Sequence, residues 1–141
     1  MKKVLIINAN YYKIISNDLI TEAKKKLISA KYSLSKIDVP GIFEIPIAIR
    51  KNIKKFDAFV ALGCVIKGQT PHFDLICIST FNAILKLSID FNKPIGNGII
   101  TALNMKQAVN RSQKNSFKIP NKGSEAAKAV LSILNNEPKK I

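Results

Sequence analysis

The sequence has no tryptophan, one histidine, two cysteines, two arginines and nine acidic residues. With Cys64, Cys77 and His72 as the only such side chains, nothing has the ligand spacing of a zinc site, and no metal is expected. Free thiols fit a reducing compartment, so a cytoplasmic location is expected. Long apolar runs are also missing. The longest stretch without a charged residue is Pro94 to Met105, 12 residues, against the roughly 20 a membrane-spanning helix needs. No membrane span is expected. The start, Met1-Lys2-Lys3-Val4-Leu5-Ile6-Ile7-Asn8, has the outline of a signal peptide but no small-residue cleavage pattern, and it reads as a first strand. There is no internal repeat and no interdomain linker.

What is present is a chain of 141 residues, 47% hydrophobic. The apolar residues are spread along its length, which argues against disorder and for one domain, 1–141, with a buried core. The formal charge is +14. A chain this basic raises nucleic acid as a partner, but the charge has a compositional source. There are 21 lysines against 2 arginines, with 23 isoleucines and 13 asparagines, the bias of a genome rich in A and T. The lysines are scattered, Lys24-Lys25-Lys26 being the longest run. No aromatic residues interleave with them as single-strand binding requires. Nucleic acid is therefore not expected as a partner.

Val4 to Ala9 is a continuous apolar run, as in a strand buried on both faces. Asn10 to Lys13 read as the turn after it. Asn17 is placed to cap a helix with Leu19, Ile20, Ala23, Leu27 and Ile28 at helical spacing and Lys24, Lys25 and Lys26 towards solvent. Tyr32 to Val39 is a second, weaker strand nearer a sheet edge, closed by Pro40-Gly41. Pro46 suits the first turn of a helix, which puts Glu44 at its N-terminus, where a carboxylate is favoured. Glu44 is then either a capping glutamate or an acceptor for the hydroxyls of a ligand, and Phe43 either core or pocket wall. Phe56 to Leu62 is a third strand. Phe73, Cys77, Phe81, Ile84 and Leu85 form the core face of a helix running from Phe73 to Ser88. Ile95 to Thr101 is a fourth strand, whose Gly96 and Gly98 mark close approach of a ligand or a neighbouring backbone. Asn104 to Ser112 is a short helix, Gln113 to Gly123 a loop, and Ser124 to Leu134 a last helix burying Ala127, Val130, Ile133 and Leu134. Arg111 serves either as a surface helix-end cation or as a fork for phosphate. Strands alternating with helices imply an α/β fold: a four-stranded parallel sheet flanked by helices on both faces, with right-handed crossovers.

The stretch richest in chemistry is Gly63 to Asp74, Gly-Cys-Val-Ile-Lys-Gly-Gln-Thr-Pro-His-Phe-Asp. It joins the third strand to the next helix, where open α/β sheets bind ligands, and N–H groups at a helix start favour an anion. It has the makings of a phosphate cradle beside the imidazole of His72, a side-chain type whose unperturbed pKa suits proton transfer near neutrality. The same residues also spell a plain Gly-rich turn with a capping threonine and an incidental histidine.

Three segments together resemble the 6,7-dimethyl-8-ribityllumazine synthase family: Val39-Pro40-Gly41-Ile42-Phe43-Glu44-Ile45-Pro46, Gly63 to Asp74, and Asn121-Lys122-Gly123-Ser124-Glu125-Ala126-Ala127. Their order and separations match, and the resemblance covers nearly the whole chain. It implies a flavodoxin-like three-layer sandwich. It also implies condensation of 5-amino-6-(D-ribitylamino)uracil with 3,4-dihydroxy-2-butanone 4-phosphate, two small-molecule substrates, with loss of phosphate and two waters and with no cofactor. By position, Tyr11 matches the aromatic that stacks on the pyrimidine. Ile42, Phe43 and Glu44 match the segment holding the ribityl chain and ring edge, with Glu44 the hydroxyl acceptor. Cys64, Val65 and Ile66 match the stretch pairing with the uracil, and Gln69 and Thr70 the phosphate-cradling turn. His72 matches the catalytic histidine, Arg111 the phosphate-binding arginine and Lys122 a nearby lysine. The resemblance implies that Arg111 and the strand around Asn97 reach the site of an adjacent subunit, so the active site would lie at a homo-oligomer interface.

The chain departs from the family pattern in places. Asn97 stands where many members have phenylalanine, Lys67 where arginine is common, and Gln69 where alanine or an acid is frequent. The first strand begins almost at once, without the leading strand of icosahedral members, and the loop between Arg111 and Lys122 looks longer than in shell-forming ones. A pentamer is therefore expected rather than a 60-subunit shell. The alternative function is a flavin- or nucleotide-binding module on the same frame without catalysis, in which His72→Ala would leave affinity intact. A regulatory paralogue with a decayed site is a third reading, against which stand Glu44, Thr70, His72 and Arg111 together.

Overall fold

The apolar runs form the strands of one parallel sheet. β1 (Lys3–Ala9), β2 (Ser33–Val39), β3 (Ala58–Ile66) and β4 (Ile95–Ala102) stand in the order β2-β1-β3-β4. Every pairing is parallel. The weakly apolar β2 lies at one edge, as its pattern predicts, and β4 at the other. Between them run α1 (Lys13–Ser29), a 3-10 turn (Ile42–Glu44) leading into α2 (Ile45–Asn52), and α3 (His72–Phe91); α4 (Met105–Ser112) and α5 (Lys122–Asn135) follow β4. This is the three-layer, flavodoxin-like arrangement. The computed structural model describes residues 1–115 and 118–141. Residues 116 and 117, in the loop expected from Gln113 to Gly123, lie outside the described residues.

Alternation along each strand divides the core in two. Val4, Ile6, Val60, Leu62 and Ile100 face Leu19, Leu27, Ala127 and Val130 of α1 and α5. Leu5, Ile7, Phe59, Ala61 and Ile99 face Ile45 and Ile49 of α2 and Ile84 of α3. Both faces of β1 and β3 are therefore dry, which is why their sequences are almost wholly apolar, the buried Asn8 in β1 being an exception. Each large side chain fully buried here contributes on the order of 2 kcal/mol. Gly96 and Gly98 resolve as close backbone packing within the chain. A Cβ at Gly96 would lie 2.2 Å from the carbonyl oxygen of Ala126 in α5, and one at Gly98 2.5 Å from Leu62 Cδ2.

Several boundaries differ from the sequence reading. α1 begins at Lys13, not after Asn17. Tyr12 holds the N-cap position without a side-chain bond. Burial of Ile15 and Ser16 draws the first turn onto the sheet, and the Asn17 carbonyl accepts the Thr21 hydroxyl inside the helix. β3 does not stop at Leu62. It pairs with β4 as far as Ile66 opposite Ala102, so Cys64, Val65 and Ile66 belong to the strand and not to the turn. Gly63 is no strand end: a Cβ there would meet Ala9 Cβ and Ile42 Cγ2, each at 2.9 Å. Leu85 and Ile133, expected in the core, are 59% and 63% exposed.

α3 bears on the expectation that no membrane span is present. By length and composition it is apolar enough to cross a membrane, with a mean hydropathy of 1.3. It is, however, the crossover between the adjacent parallel strands β3 and β4. Both its ends are tied to one sheet, and Cys77, Thr80 and Ile84 are buried, Ile84 in the core cluster with Phe59 and Ile99 of that sheet. Its apolarity serves a packed face and an exposed one.

Candidate active site

In this strand order the chain reverses direction of winding between β1 and β3, and ligands collect at such a switch point beyond the strands' carboxyl ends. A cavity of about 520 Å³ lies there, lined by Tyr11, Tyr12, Gly41, Ile42, Phe43, Glu44, Cys64, Val65, Ile66, His72 and Ile76. Tyr11 and Tyr12 leave the end of β1 and meet edge to face, ring centroids 4.9 Å apart. Tyr11 and Phe43 stay open, 75% and 61% exposed, two aromatic faces free for a planar ligand. Glu44 sits at the N-cap position of α2 but makes no cap hydrogen bond through its side chain. Its carboxylate folds back over Gly41, where a Cβ would come within 3.3 Å of Oε1. The acceptor is thus left for the cavity. His72 opens α3 in the exposed first turn, and its backbone N–H donates to Thr70 Oγ1 at 3.4 Å.

Gln69 and Thr70 lie on the exposed bend just before α3 and are not among the residues lining this cavity. Burial pushes the Cys64 thiol up to about 11. Tyr12 is likewise raised, first by burial and then by the neighbouring Cys64 and Tyr11. Both groups stay neutral near pH 7, so the floor of the cavity is apolar, with hydrogen-bonding backbone of β3 at its rim.

Asn97, Arg111 and Lys122 do not join these residues within the chain. They line a second cleft, of about 270 Å³, together with Phe81, Ile99, Thr101 and Glu125. It runs along β4, whose outer edge has no partner strand among the described residues. Asn97 Oδ1 accepts the N–H of Ile99 at 3.1 Å. Arg111 spends one donor on the carbonyl of Gln107 at 3.2 Å and keeps the rest of its fork. Lys122 lies 3.7 Å from Glu125. One cleft therefore holds an imidazole, an acceptor and stacking faces; the other holds two cations.

A family model described as 6,7-dimethyl-8-ribityllumazine synthase matches residues 1–137. A curated protein of that name from Campylobacter jejuni is 40% identical over 138 residues, 94% of this chain and 88% of that protein. One from Methylorubrum populi is 38% identical over 139 residues, 94% and 80% of the two chains. One from Campylobacter curvus is 37% identical over 139 residues, 95% and 87%. The chain belongs to the 6,7-dimethyl-8-ribityllumazine synthase family.

For a lumazine synthase family member, the sequence gives no site role to several lining residues, among them Tyr12, Ile76 and Glu125. Tyr12 was placed only in a turn, although the adjacent aromatic pair at the end of β1 was its signal. Ile76 lies one helical turn after His72, a spacing that puts both on one side of α3. Glu125 lies within the segment Lys122 to Ala127, and its position three residues after Lys122 is the spacing of a helical ion pair.

Proposed function

We propose that the chain, as one lumazine synthase domain over residues 1–141, condenses 5-amino-6-(D-ribitylamino)uracil with 3,4-dihydroxy-2-butanone 4-phosphate. The products are 6,7-dimethyl-8-ribityllumazine, phosphate and two waters, and the step is the penultimate one of riboflavin biosynthesis. The observation that carries the reading is the gathering of Tyr11, Ile42, Phe43, Glu44, Cys64, Val65, Ile66 and His72 around one cavity in a chain of this family. Tyr11 and Phe43 sandwich the pyrimidine, Glu44 accepts from the ribityl hydroxyls, and the end of β3 pairs with the uracil edge. Gln69, Thr70 and the first N–H groups of α3 cradle the phosphate.

Arg111 and Lys122, with Asn97, complete the site from an adjacent copy. The division of the residues into two clefts supports this, because neither cleft alone holds both the imidazole and the guanidinium. The ring amine attacks the ketone, and loss of water gives a Schiff base. His72 takes the proton from the neighbouring carbon and returns protons as phosphate leaves and the second amine closes the ring with loss of the second water. Arg111 and the helix-start N–H groups stabilise the departing phosphate. Holding both substrates together supplies much of the remaining rate. The assembly is a homopentamer rather than a 60-subunit shell, in keeping with the length of the loop between Arg111 and Lys122, and the free thiols of Cys64 and Cys77 suit the cytoplasm.

The test is direct. Pure protein mixed with both substrates develops the green fluorescence of the lumazine; no fluorescence, with either substrate consumed or not, overturns the assignment. Sedimentation reports the assembly, and a megadalton particle rules out the pentamer.

A further inference from the structure

Tyr12 stands where a tyrosine does nothing for the helix it begins. It is the N-cap residue of α1 and makes no side-chain cap hydrogen bond, at a position that favours serine, threonine, aspartate or asparagine. Breaks in a local rule of this kind gather at functional sites. Its ring is half-buried, packed against the core cluster shared by α1 and α5, and it lines the first cavity. Its hydroxyl has no hydrogen-bond partner among the described residues.

Ring and hydroxyl each have a use there. The Tyr12 ring meets that of Tyr11 edge to face, at an interplanar angle of 77°. Tyr11 stands open to solvent, so the anchored ring beside it fixes the angle at which Tyr11 offers its face. Burial, and then Cys64 near the end of β3, keep the pKa of Tyr12 above the usual tyrosine value, so near neutral pH the hydroxyl is a donor. A uracil ring presents two carbonyl oxygens, which need donors. Glu44 serves as an acceptor, and the Cys64 thiol is a weak donor. The strong side-chain donors lining the cavity are Tyr11, Tyr12 and His72, and of these Tyr12 alone is partly withdrawn from solvent. A donor already turned from water and left unpaired gains most when an acceptor arrives.

We infer that Tyr12 binds the pyrimidine substrate in two ways: its hydroxyl donates to a ring carbonyl, and its ring holds Tyr11 at the angle that stacks on the same heterocycle. The inference rests on the proposed reading of this cavity as the pyrimidine site. It gives a role to a side chain that capping preference would replace.

Two variants separate the two contributions. Tyr12→Phe keeps the ring and its packing and removes the donor; Tyr12→Leu removes both. With both substrates present, Tyr12→Phe is expected to raise the Michaelis constant for the pyrimidine about tenfold, the scale of one hydrogen bond. The constant for the phosphorylated ketone should move less than about twofold. Tyr12→Leu should raise the pyrimidine constant by about another fivefold, because Tyr11 loses its support. Calorimetric titration with the pyrimidine alone reads the same losses without turnover. Wild-type affinity in Tyr12→Phe, or an equal rise in both Michaelis constants, overturns the hydroxyl contact. Equal affinity in Tyr12→Phe and Tyr12→Leu overturns the support of Tyr11. Either result leaves the proposed activity standing if the wild-type protein makes the lumazine. A wild-type protein that neither binds the pyrimidine nor makes the lumazine overturns the inference together with the reading of the site.

Discussion

The buried side-chain amide of Asn121 donates to the carbonyl oxygen of Ser112 at 2.9 Å. Its other end, Oδ1, accepts the N–H of Ser124 at 3.0 Å and so caps α5. One residue thereby locks the end of α4 to the start of α5, and Arg111 and Lys122 are the immediate neighbours of the two locked points. Asn121→Ala removes a cap and orphans a buried carbonyl. The expected loss is about 2 kcal/mol of stability, read from the urea midpoint. In the enzyme assay it should raise the Michaelis constant for the phosphorylated ketone more than that for the uracil, since both cations move. Equal changes in the two constants would detach Asn121 from the phosphate end of the site.

Two glycines should respond in opposite ways. A Cβ on Gly123 would lie 2.2 Å from the backbone carbonyl oxygen of Leu19 in α1. Backbone cannot swing aside like a side chain, so Gly123→Ala is expected to cost about 3 kcal/mol or more. At Gly68, in the loop before α3, nothing lies within 4 Å of the same added atom. Gly68→Ala is expected to stay within about 0.5 kcal/mol of wild type. Thermal melts of the two variants decide it; similar midpoints would contradict the close packing of α1 on α5.

The strands were legible because Val4 to Ile7 and Ala58 to Leu62 are apolar on both faces, a pattern that a sheet covered on two sides explains. The errors have equally local causes. Gly63 reads as a strand end, yet it is glycine because Ala9 and Ile42 press on it. Asn17 reads as a helix cap, but burial of Ile15 and Ser16 outweighs a capping preference. Leu85 reads as core because periodicity registers an apolar residue without saying what covers it. The site was readable in the same measure. His72, Glu44 and Tyr11 fall around one cavity because each follows the carboxyl end of a strand or opens a helix beside one. Asn97, Arg111 and Lys122 share a cleft elsewhere, and spacing along one chain does not say which distant residues share a cleft. Tyr12 escaped because it lines the cavity from a helix start that capping preference placed five residues later.

Alkaline pH should loosen the fold through Cys64. An unfolded thiol ionises near its usual 9.0, whereas in the folded chain burial pushes it up to about 11. Between those values the folded form keeps a proton that the unfolded form has released, so stability falls as pH rises from about 9 through about 11 and is unaffected by this group below that window. Cys77 is shifted the same way by burial and by Asp74, so it contributes part of the same loss. Urea midpoints at pH 8 and pH 10 should therefore drop less in Cys64→Ala than in wild type. An equal drop would place the pH dependence in another group, of which the raised Tyr12 hydroxyl is the first candidate.

The proposal that the site is shared between copies admits a decisive mixing experiment. His72→Ala disables the first cleft and Arg111→Ala the second, and both side chains are exposed in the chain, so neither substitution should disturb folding. Each variant alone is expected to lose at least about 100-fold in turnover, the scale on which a proton shuttle or a phosphate clamp acts. If the two variants are dissociated, mixed in equal amounts and reassembled, some contacts join an intact first cleft on one copy to an intact second cleft on the next. Random assortment makes that about one contact in four, so activity should recover to roughly a quarter of wild type. If all the chemistry lay within a single copy, no mixture could rebuild a complete site and activity would stay at the level of the variants. Recovery also requires that reassembly be real, which the mass of the mixed particle establishes before the assay.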